Sequence, residues 1–400
     1  MPPCDWNFDE RSTLVPAMLV DAGDDKPEYI PFLELALRGN LCVEYADHAP
    51  VRIGITDMYV VFIFSSLSIL THWHHDHVGG VPHILRLLDR LRKETAAVPV
   101  PRVYKYPEPV TDASMLARFA TIPSAACIKC PTTDGPVWPL QDNDTVRVVD
   151  PEDASRVATL RVVYSPGHAA DHCMLLLEED HILLTGDNVL GRGSTVFENL
   201  VLYMHSIQRG LELLESRRAT PMGVVGTQFS DFGENVLFPA HGPIVPRGKD
   251  TLRRYLKHRV EREEQLLALL TCDPNDNKRV VKAIADSASV LATRRPSAAK
   301  YGWTLRQLIA VLYTNYSVRM YPAVARVLLL HLQRLSCSLR ELDQPPFSTQ
   351  SQLPSSPYVT GRSVRIERLP SFQRSTNHIP DMPRGEVEWR EMLDIPWEIL

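Results

Sequence analysis

Thr71-His72-Trp73-His74-His75-Asp76-His77-Val78-Gly79-Gly80 sets His72, His74, Asp76 and His77 within six residues, in the pattern H-x-H-x-D-H. Ahead of it, Val60-Val61-Phe62-Ile63-Phe64 and Ser65-Ser66-Leu67-Ser68-Ile69-Leu70 read as one buried strand that ends at the cluster. Behind it, Val81 to Leu91, with Ile84, Leu85, Leu87 and Leu88, reads as a helix. A strand-to-helix turn breaks the alternation that would point neighbouring side chains apart, so ligands placed there can converge. Neutral imidazoles with a carboxylate suit zinc or a similar divalent ion. A His-rich polar surface loop is the competing reading, and this spacing ahead of Gly-Gly makes it the weaker one.

The segment resembles the signature of the metallo-β-lactamase superfamily, whose fold is an α/β sandwich of αββα layers with a two-metal site at one edge. The resemblance implies three further ligands in order, and each has a candidate that follows an apolar run. Ser165-Pro166-Gly167-His168 supplies His168, Leu184-Thr185-Gly186-Asp187-Asn188 supplies Asp187, and Phe238-Pro239-Ala240-His241-Gly242-Pro243 supplies His241. Carried over position by position, His72, His74 and His168 hold one metal. Asp76, His77 and His241 hold the second, and Asp187 bridges both. Two zinc ions per chain are the expected cofactor, with manganese or iron as alternatives. Two cations about 3.5–4 Å apart acidify a shared water and stabilise the oxyanion formed when it attacks. Asp76 is then the natural proton acceptor and the expected catalytic residue.

The 400 residues allow two domains or one large domain with appendages, and 44% apolar content is ordinary for a globular chain. A formal net charge of −5 gives no basic footprint for non-specific nucleic-acid binding. Seven cysteines, at 4, 42, 127, 130, 173, 272 and 337, are scattered and odd in number, which fits a reducing compartment, the cytoplasm. Cys127-Ile128-Lys129-Cys130 has no second pair to complete a zinc site. The N-terminus lacks the basic and apolar regions of a signal peptide, and the apolar run near residues 58–70 is too short and serine-rich to span a bilayer.

Thr13 to Val20 reads as a strand entering Asp21-Ala22-Gly23, followed by a short amphipathic helix over residues 31–38. In the family a similar strand ends in Asp-x-Gly beside the metals, so Asp21 is either an aspartate that supports a ligand or an ordinary turn residue. Two departures from the family are expected. Its N-terminal hairpin has no counterpart here, leaving the first sheet short of strands, and residues 54–66 look inserted. Residues 100–146, rich in Pro and Thr, read as loops bordering the pocket, with Tyr104, Tyr106, Phe119, Ile122 and Trp138 as an apolar lining. Thr159 to Tyr164, then Cys173 to Leu177 with His181 to Thr185, read as a strand and a hairpin; Phe197 to Leu214 reads as a helix and Val236 to Phe238 as the last strand. His75 and His172 alternate with ligands and are read as facing away, Trp73 as core, and His205 as packing or surface.

After His241 the pattern turns helical. Leu252 to Leu270 makes one long helix, Trp303 to Tyr313 a second with a Thr304…Gln307 capping box, and Val324 to Leu335 a third. This resembles the winged-helix-like module of the superfamily's lactamase-beta-2-like branch, as do residues 186–191, Thr195 to Glu198 and Tyr255…His258-Arg259. The expected division is a catalytic domain over 1–250, a helical module over 251–337, and a disordered Pro/Ser-rich tail over 338–400. That branch includes fungal enzymes that release polyketides from an acyl carrier protein. The resemblance therefore implies a thioesterase of secondary metabolism whose partner is the acyl carrier protein domain of a polyketide synthase. The alternative is a single-strand endoribonuclease of the same branch, for which nucleic acid would be the partner. Net acidity and the absence of an aromatic–basic stripe favour the thioesterase.

Overall fold

The computed structural model describes residues 17–37, 51–52, 59–62, 67–94, 100–119, 122, 126–149, 157–216, 235–272, 278, 303–336, 366–368 and 396–399. Among these the chain forms two compact units, dividing at Thr195/Val196, at Leu211/Glu212 and at Lys249/Asp250.

The first unit carries two sheets. In chain order the strands are β1 (Ala17–Val20), β2 (Val51–Arg52), β3 (Tyr59–Phe62), β4 (Leu67–Leu70), β5 (Arg102–Lys105) and β6 (Val137–Pro139), then β7 (Thr145–Val149), β8 (Val157–Tyr164), β9 (Cys173–Leu177), β10 (Ile182–Gly186) and β11 (Leu237–Pro239). The first sheet runs β2-β3-β1-β4-β5-β6 and the second β11-β10-β9-β8-β7. Strand β1 is parallel to β4, β4 to β5, and β5 to β6, while β3 lies antiparallel to β1. Its helices are α1 (Ile30–Leu37), α2 (His75–Val78), α3 (Val81–Glu94) and α4 (Pro109–Phe119), while α5 (Leu200–Ser216) belongs to the second unit up to Leu211.

Strand alternation sorts the core into layers. Leu19 and Leu70 point to one face and join Leu33, Ile84, Leu85, Met115 and Phe119 from α1, α3 and α4. Their neighbours Val20 and Ile69 point to the other face and join Leu160, Val162, Leu175, Leu184 and Phe238 of the second sheet. Helices therefore cover one face of the first sheet and the second sheet covers the other. Ile69 is wholly buried between the sheets, so Ile69→Ala would cost about 2–5 kcal/mol. Every residue of β9 and β10 is buried, and the runs Cys173-Met174-Leu175-Leu176-Leu177 and Ile182-Leu183-Leu184 read as a strand pair covered on both faces. Their turn closes through His181 at φ 56.

Several expectations change. The apolar run 60–70 is two strands rather than one: Tyr59–Phe62 and Leu67–Leu70 flank β1 on opposite sides. Residues 54–66 thus include a strand of the first sheet, which with six strands is not short of them. Residues 100–146 are not a loop region, because β5, β6, α4 and the start of β7 lie within them. Pro109 fits as the first residue of α4, where its missing N–H costs nothing. Phe119 belongs to the core beneath the first sheet rather than to a pocket lining, and Ile122 packs on the same cluster.

The second unit has its own apolar core. It comprises the end of α6 (Gly248–Leu270) and the helices Leu305–Leu312 and Tyr321–Ser336, which bury Leu266, Leu270, Trp303, Leu308, Leu328 and Leu332 together. The capping box is present: the Thr304 hydroxyl accepts from Gln307 N, and Gln307 Oε1 accepts from Thr304 N. Trp303–Thr304 forms β12, which pairs with β14 (Pro396–Ile399), itself paired with β13 (Ile366–Arg368). Both partners fall in the stretch expected to lack regular structure, and that expectation does not hold at these residues.

Candidate metal centre

Strands β4, β8, β10 and β11 each end beside the same edge, and each is followed by candidate ligands. His72 and His74 follow β4, Asp76 and His77 lie in α2, His168 follows β8, Asp187 follows β10 and His241 follows β11. The tight entry to α3 depends on Gly80, where a Cβ would stand 2.0 Å from Ala22 O and Tyr29 Oη.

All seven residues come together as two donor groups. One is His72, His74, His168 and Asp187; the other is Asp76, His77 and His241; within each group the donor atoms lie within 4.8 Å of one another. Asp187 stands between them. Its Oδ2 is 3.4 Å from His168 Nε2, and its Oδ1 is 3.2 Å from His241 Nε2 and 3.5 Å from His77 Nε2. Asp76 Oδ2 lies 3.3 Å from His241 Nε2 and 3.7 Å from His77 Nε2.

The hydrogen-bond network assigns the tautomers. Asp21 is buried at φ 63 and accepts from Thr71 N at 2.7 Å, from Thr71 Oγ1 at 2.9 Å and from His77 Nδ1 at 2.8 Å. The Thr71 hydroxyl, having donated to Asp21, accepts from His72 Nδ1 at 2.9 Å. Thr195 Oγ1 donates to Asp187 O and accepts from His168 Nδ1 at 3.4 Å. In His72 and His168 the proton therefore sits on Nδ1 and the Nε2 lone pair faces the centre; His77 Nδ1 donates to Asp21, which turns its Nε2 to the same centre. Asp21 holds His77, a candidate ligand, in place and is more than a turn residue.

This donor set fits cations. His72 Nε2, His168 Nε2 and His74 Nδ1 lie 2.9–3.2 Å from one another, and two of the three present lone pairs to each other. His77 Nε2 and Asp187 Oδ1 are buried without a hydrogen bond. Converging lone pairs in a dry site repel unless a positive charge stands among them. The charges agree. Burial, then the nearby His77, pushes the His72 imidazolium well below its ordinary range, and burial beside His168 brings His74 down to about 4. Burial also opposes a charge on His77, but the Asp21 and Asp187 carboxylates outweigh it and hold its pKa up at about 10, so in the absence of a cation its Nε2 carries a proton that a bound ion would displace. The two groups are able to hold metal ions. A hydrogen bond from His241 lowers Asp76 to about 2, so its half-exposed carboxylate is ionised throughout the neutral range.

Sequence reasoning misplaced three neighbours. His172 points inward, fully buried, between Ser165 and Asp187. Trp73 is half-buried with its ring 5.0 Å from that of His74, edge on, so it borders the centre and is not core. Lys105, a residue of the supposed loop, is buried with Nζ 2.6 Å from Asp171 Oδ2 and 2.5 Å from Asp112 Oδ1. A buried lysine between two acids has no sequence signal, whereas His172 repeats a histidine four residues after a ligand and could have been weighed more heavily. His75 does face out, toward Asp24 and Arg118, and His205 is half-buried on α5.

Residues 69–226 match the metallo-beta-lactamase superfamily, a span that includes every candidate ligand except His241. The Beta-lactamase-like protein 2 homolog of Drosophila melanogaster is 32% identical over 268 residues, 67% of this chain and 68% of that protein. The chain belongs to the metallo-beta-lactamase superfamily. Members of this superfamily are usually hydrolytic metalloenzymes, and the two-sheet fold is theirs. Two fungal relatives are similar over a shorter span. The lactamase-like protein nscB of Arthroderma otae is 31% identical, covering 52% of this chain and 43% of that protein. The atrochrysone carboxyl ACP thioesterase of Aspergillus fumigatus is 29% identical, covering 51% of this chain and 47% of that protein. The chain thus spans under half the length of these two. Among the described residues no helix is long and apolar enough to cross a membrane.

Proposed function

We propose that this chain is a di-metal hydrolase that cleaves acyl thioesters, the acyl group being of polyketide type and carried on an acyl carrier protein. The observation that carries the hydrolase reading is Asp187 standing between two donor groups, with an ionised Asp76 at their half-exposed rim. His72, His74 and His168 would hold one ion and Asp76, His77 and His241 the other, with Asp187 shared. Zinc suits these nitrogen and carboxylate donors. Two such ions, when bound, acidify water and polarise a carbonyl.

The chain's own residues supply the rest. Thr71 and Thr195 keep the imidazole Nε2 atoms of His72 and His168 unprotonated and aimed inward, and Asp21 aims that of His77 the same way. Asp76 accepts the proton that the attacking water gives up, because its carboxylate stands half-exposed at the rim among the candidate ligands, with Oδ2 3.3 Å from His241 Nε2. Trp73 gives the rim beside His74 an apolar wall for an acyl group.

Two observations favour thioester over RNA. One relative is named as an acyl carrier protein thioesterase. Of the three basic residues between 104 and 140, Lys105 is also buried against Asp112 and Asp171, which leaves only Arg118 and Lys129 exposed in that stretch. A nucleic-acid track needs cations available to phosphates.

The test compares a polyketide-type acyl thioester on a carrier protein with single-stranded RNA, after metal analysis, using Asp76→Asn as the control. About two divalent ions per chain are expected, with thioester turnover lowered roughly 10²-fold or more in the variant. Folded protein with only trace metal would refute the hydrolase reading. RNA cleavage that vanishes in the variant, with the thioester untouched, would reverse the choice of substrate.

A further inference from the structure

His172 belongs to neither donor group, yet it is as buried as any ligand. Its Nε2 accepts the backbone N–H of Asp187 at 3.0 Å. A peptide N–H can only donate, so the ring proton lies on Nδ1, which donates to Ser165 Oγ at 2.9 Å. Ser165 Oγ also accepts from Met174 N at 2.8 Å. Both ring nitrogens are thereby committed, and His172 has no lone pair left for an ion. One imidazole instead ties the loop that carries His168 to the strand end that carries Asp187. The fit leaves no slack: a Cβ at Gly186, which sits at φ 50, would stand 2.5 Å from His172 Nε2. The loop is held from its other side as well, because the adjacent Asp171 pairs with the buried Lys105 of β5.

We infer that His172 is a positioning residue: by fixing the peptide N–H of Asp187 it sets the direction from which that carboxylate faces His168 on one side and His77 and His241 on the other. The inference rests on the two-ion reading of the centre and extends it, since a carboxylate shared by two groups tolerates less tilt than one facing a single group. Residues that orient ligands in this way change metal affinity about 10–100-fold when removed.

The experiment uses the full chain loaded with zinc, and compares wild type with His172→Ala, His172→Asn and His172→Gln. A glutamine carbonyl reaches about as far as Nε2 and can accept the same N–H, whereas an asparagine carbonyl stops short. Chelator titration is read as metal remaining per chain, and cobalt-substituted protein is read by its visible absorption, which follows ligand geometry. His172→Ala and His172→Asn should release metal about 10–100-fold more readily with an altered cobalt spectrum, and His172→Gln should return to within a few-fold of wild type. Melting of the stripped proteins controls for folding, and the three variants should melt alike. His172→Ala holding metal within twofold of wild type would overturn the inference, as would His172→Gln failing as badly as His172→Asn. If His172→Ala does not fold, the glutamine and asparagine pair decides alone. Wild-type protein that binds no metal would remove the two-ion reading and the inference with it; loaded wild type beside an equally loaded His172→Ala would remove only the inference.

Discussion

Asp21→Asn separates the frame of the centre from its ligands. Asp21 is 1% exposed and accepts three hydrogen bonds, from Thr71 N, Thr71 Oγ1 and His77 Nδ1. Its φ of 63 lies in the left-handed region, which asparagine tolerates, so the main chain should persist; alanine would add about 1–2 kcal/mol of strain. The asparagine carbonyl can replace one carboxylate oxygen, toward Thr71 N. Its amide nitrogen then meets the Thr71 hydroxyl and His77 Nδ1–H, donor against donor. Two charge-assisted bonds are lost at about 1.5–3 kcal/mol each, so the stripped protein should lose about 3–6 kcal/mol. At about 2–4 °C per kcal/mol for a unit of this size, melting should fall by at least roughly 6 °C.

His77 has one escape, which is to give up its Nδ1 proton and accept from the new amide there. That relieves the fold but leaves the remaining proton fixed on Nε2, the nitrogen that faces the centre. The same change frees Thr71 Oγ1 to turn, and with it the Nδ1–H of His72. Both donor groups should therefore weaken, by about 10–100-fold in metal affinity, or roughly 1.4–2.7 kcal/mol. Calorimetry of the stripped protein and chelator competition of the loaded one measure the two effects separately. If Asp21→Asn melts within 2 °C of wild type and keeps its metal against the same chelator concentration, the account of Asp21 is wrong.

Two further outcomes follow from the second unit. Ending the chain at residue 337 removes β13 and β14, the strands paired with Trp303–Thr304, so Trp303 near-ultraviolet dichroism should diminish while metal content is kept; an unchanged Trp303 signal would show that the pairing contributes nothing. His331 is fully buried beside Glu263, which also pairs with Arg334, and burial holds its pKa down to about 4. The unfolded chain takes up that proton near pH 6.5 and the folded chain only near 4, so stability should fall as pH drops through this window, by up to about 3 kcal/mol. His331→Gln should flatten that limb in denaturant titrations, and an unchanged slope would assign it to other groups.

What could be read from the sequence depended on whether a residue's partner was near it in the chain. His72, His74, Asp76 and His77 declare themselves because a two-ion site needs several donors from one turn. His168, Asp187 and His241 are legible because each terminates an apolar strand. The β9–β10 hairpin is legible for the same local reason: two apolar runs flank Glu178-Glu179-Asp180. The failures share the opposite cause. Strand β5 buries Val103 and Lys105 on one face, and a lysine there breaks the apolar alternation that marks a strand. It can be buried because Asp171 and Asp112 neutralise it, and both lie on other elements. Strand β3 merged with β4 in one apolar run, since nothing local shows that they take opposite sides of β1. Strand alternation turns His172 outward, but residues 165–172 form a turn, where Ser165 N donates to His172 O at 2.8 Å and alternation does not apply. The candidate ligands are thus written in short motifs, while Asp21, Lys105, Asp171 and His172, which stand against them or against their loops, take their meaning from partners that only the fold brings near. A search for ligand motifs alone would recover the candidate metal site and miss the residues that hold it in shape.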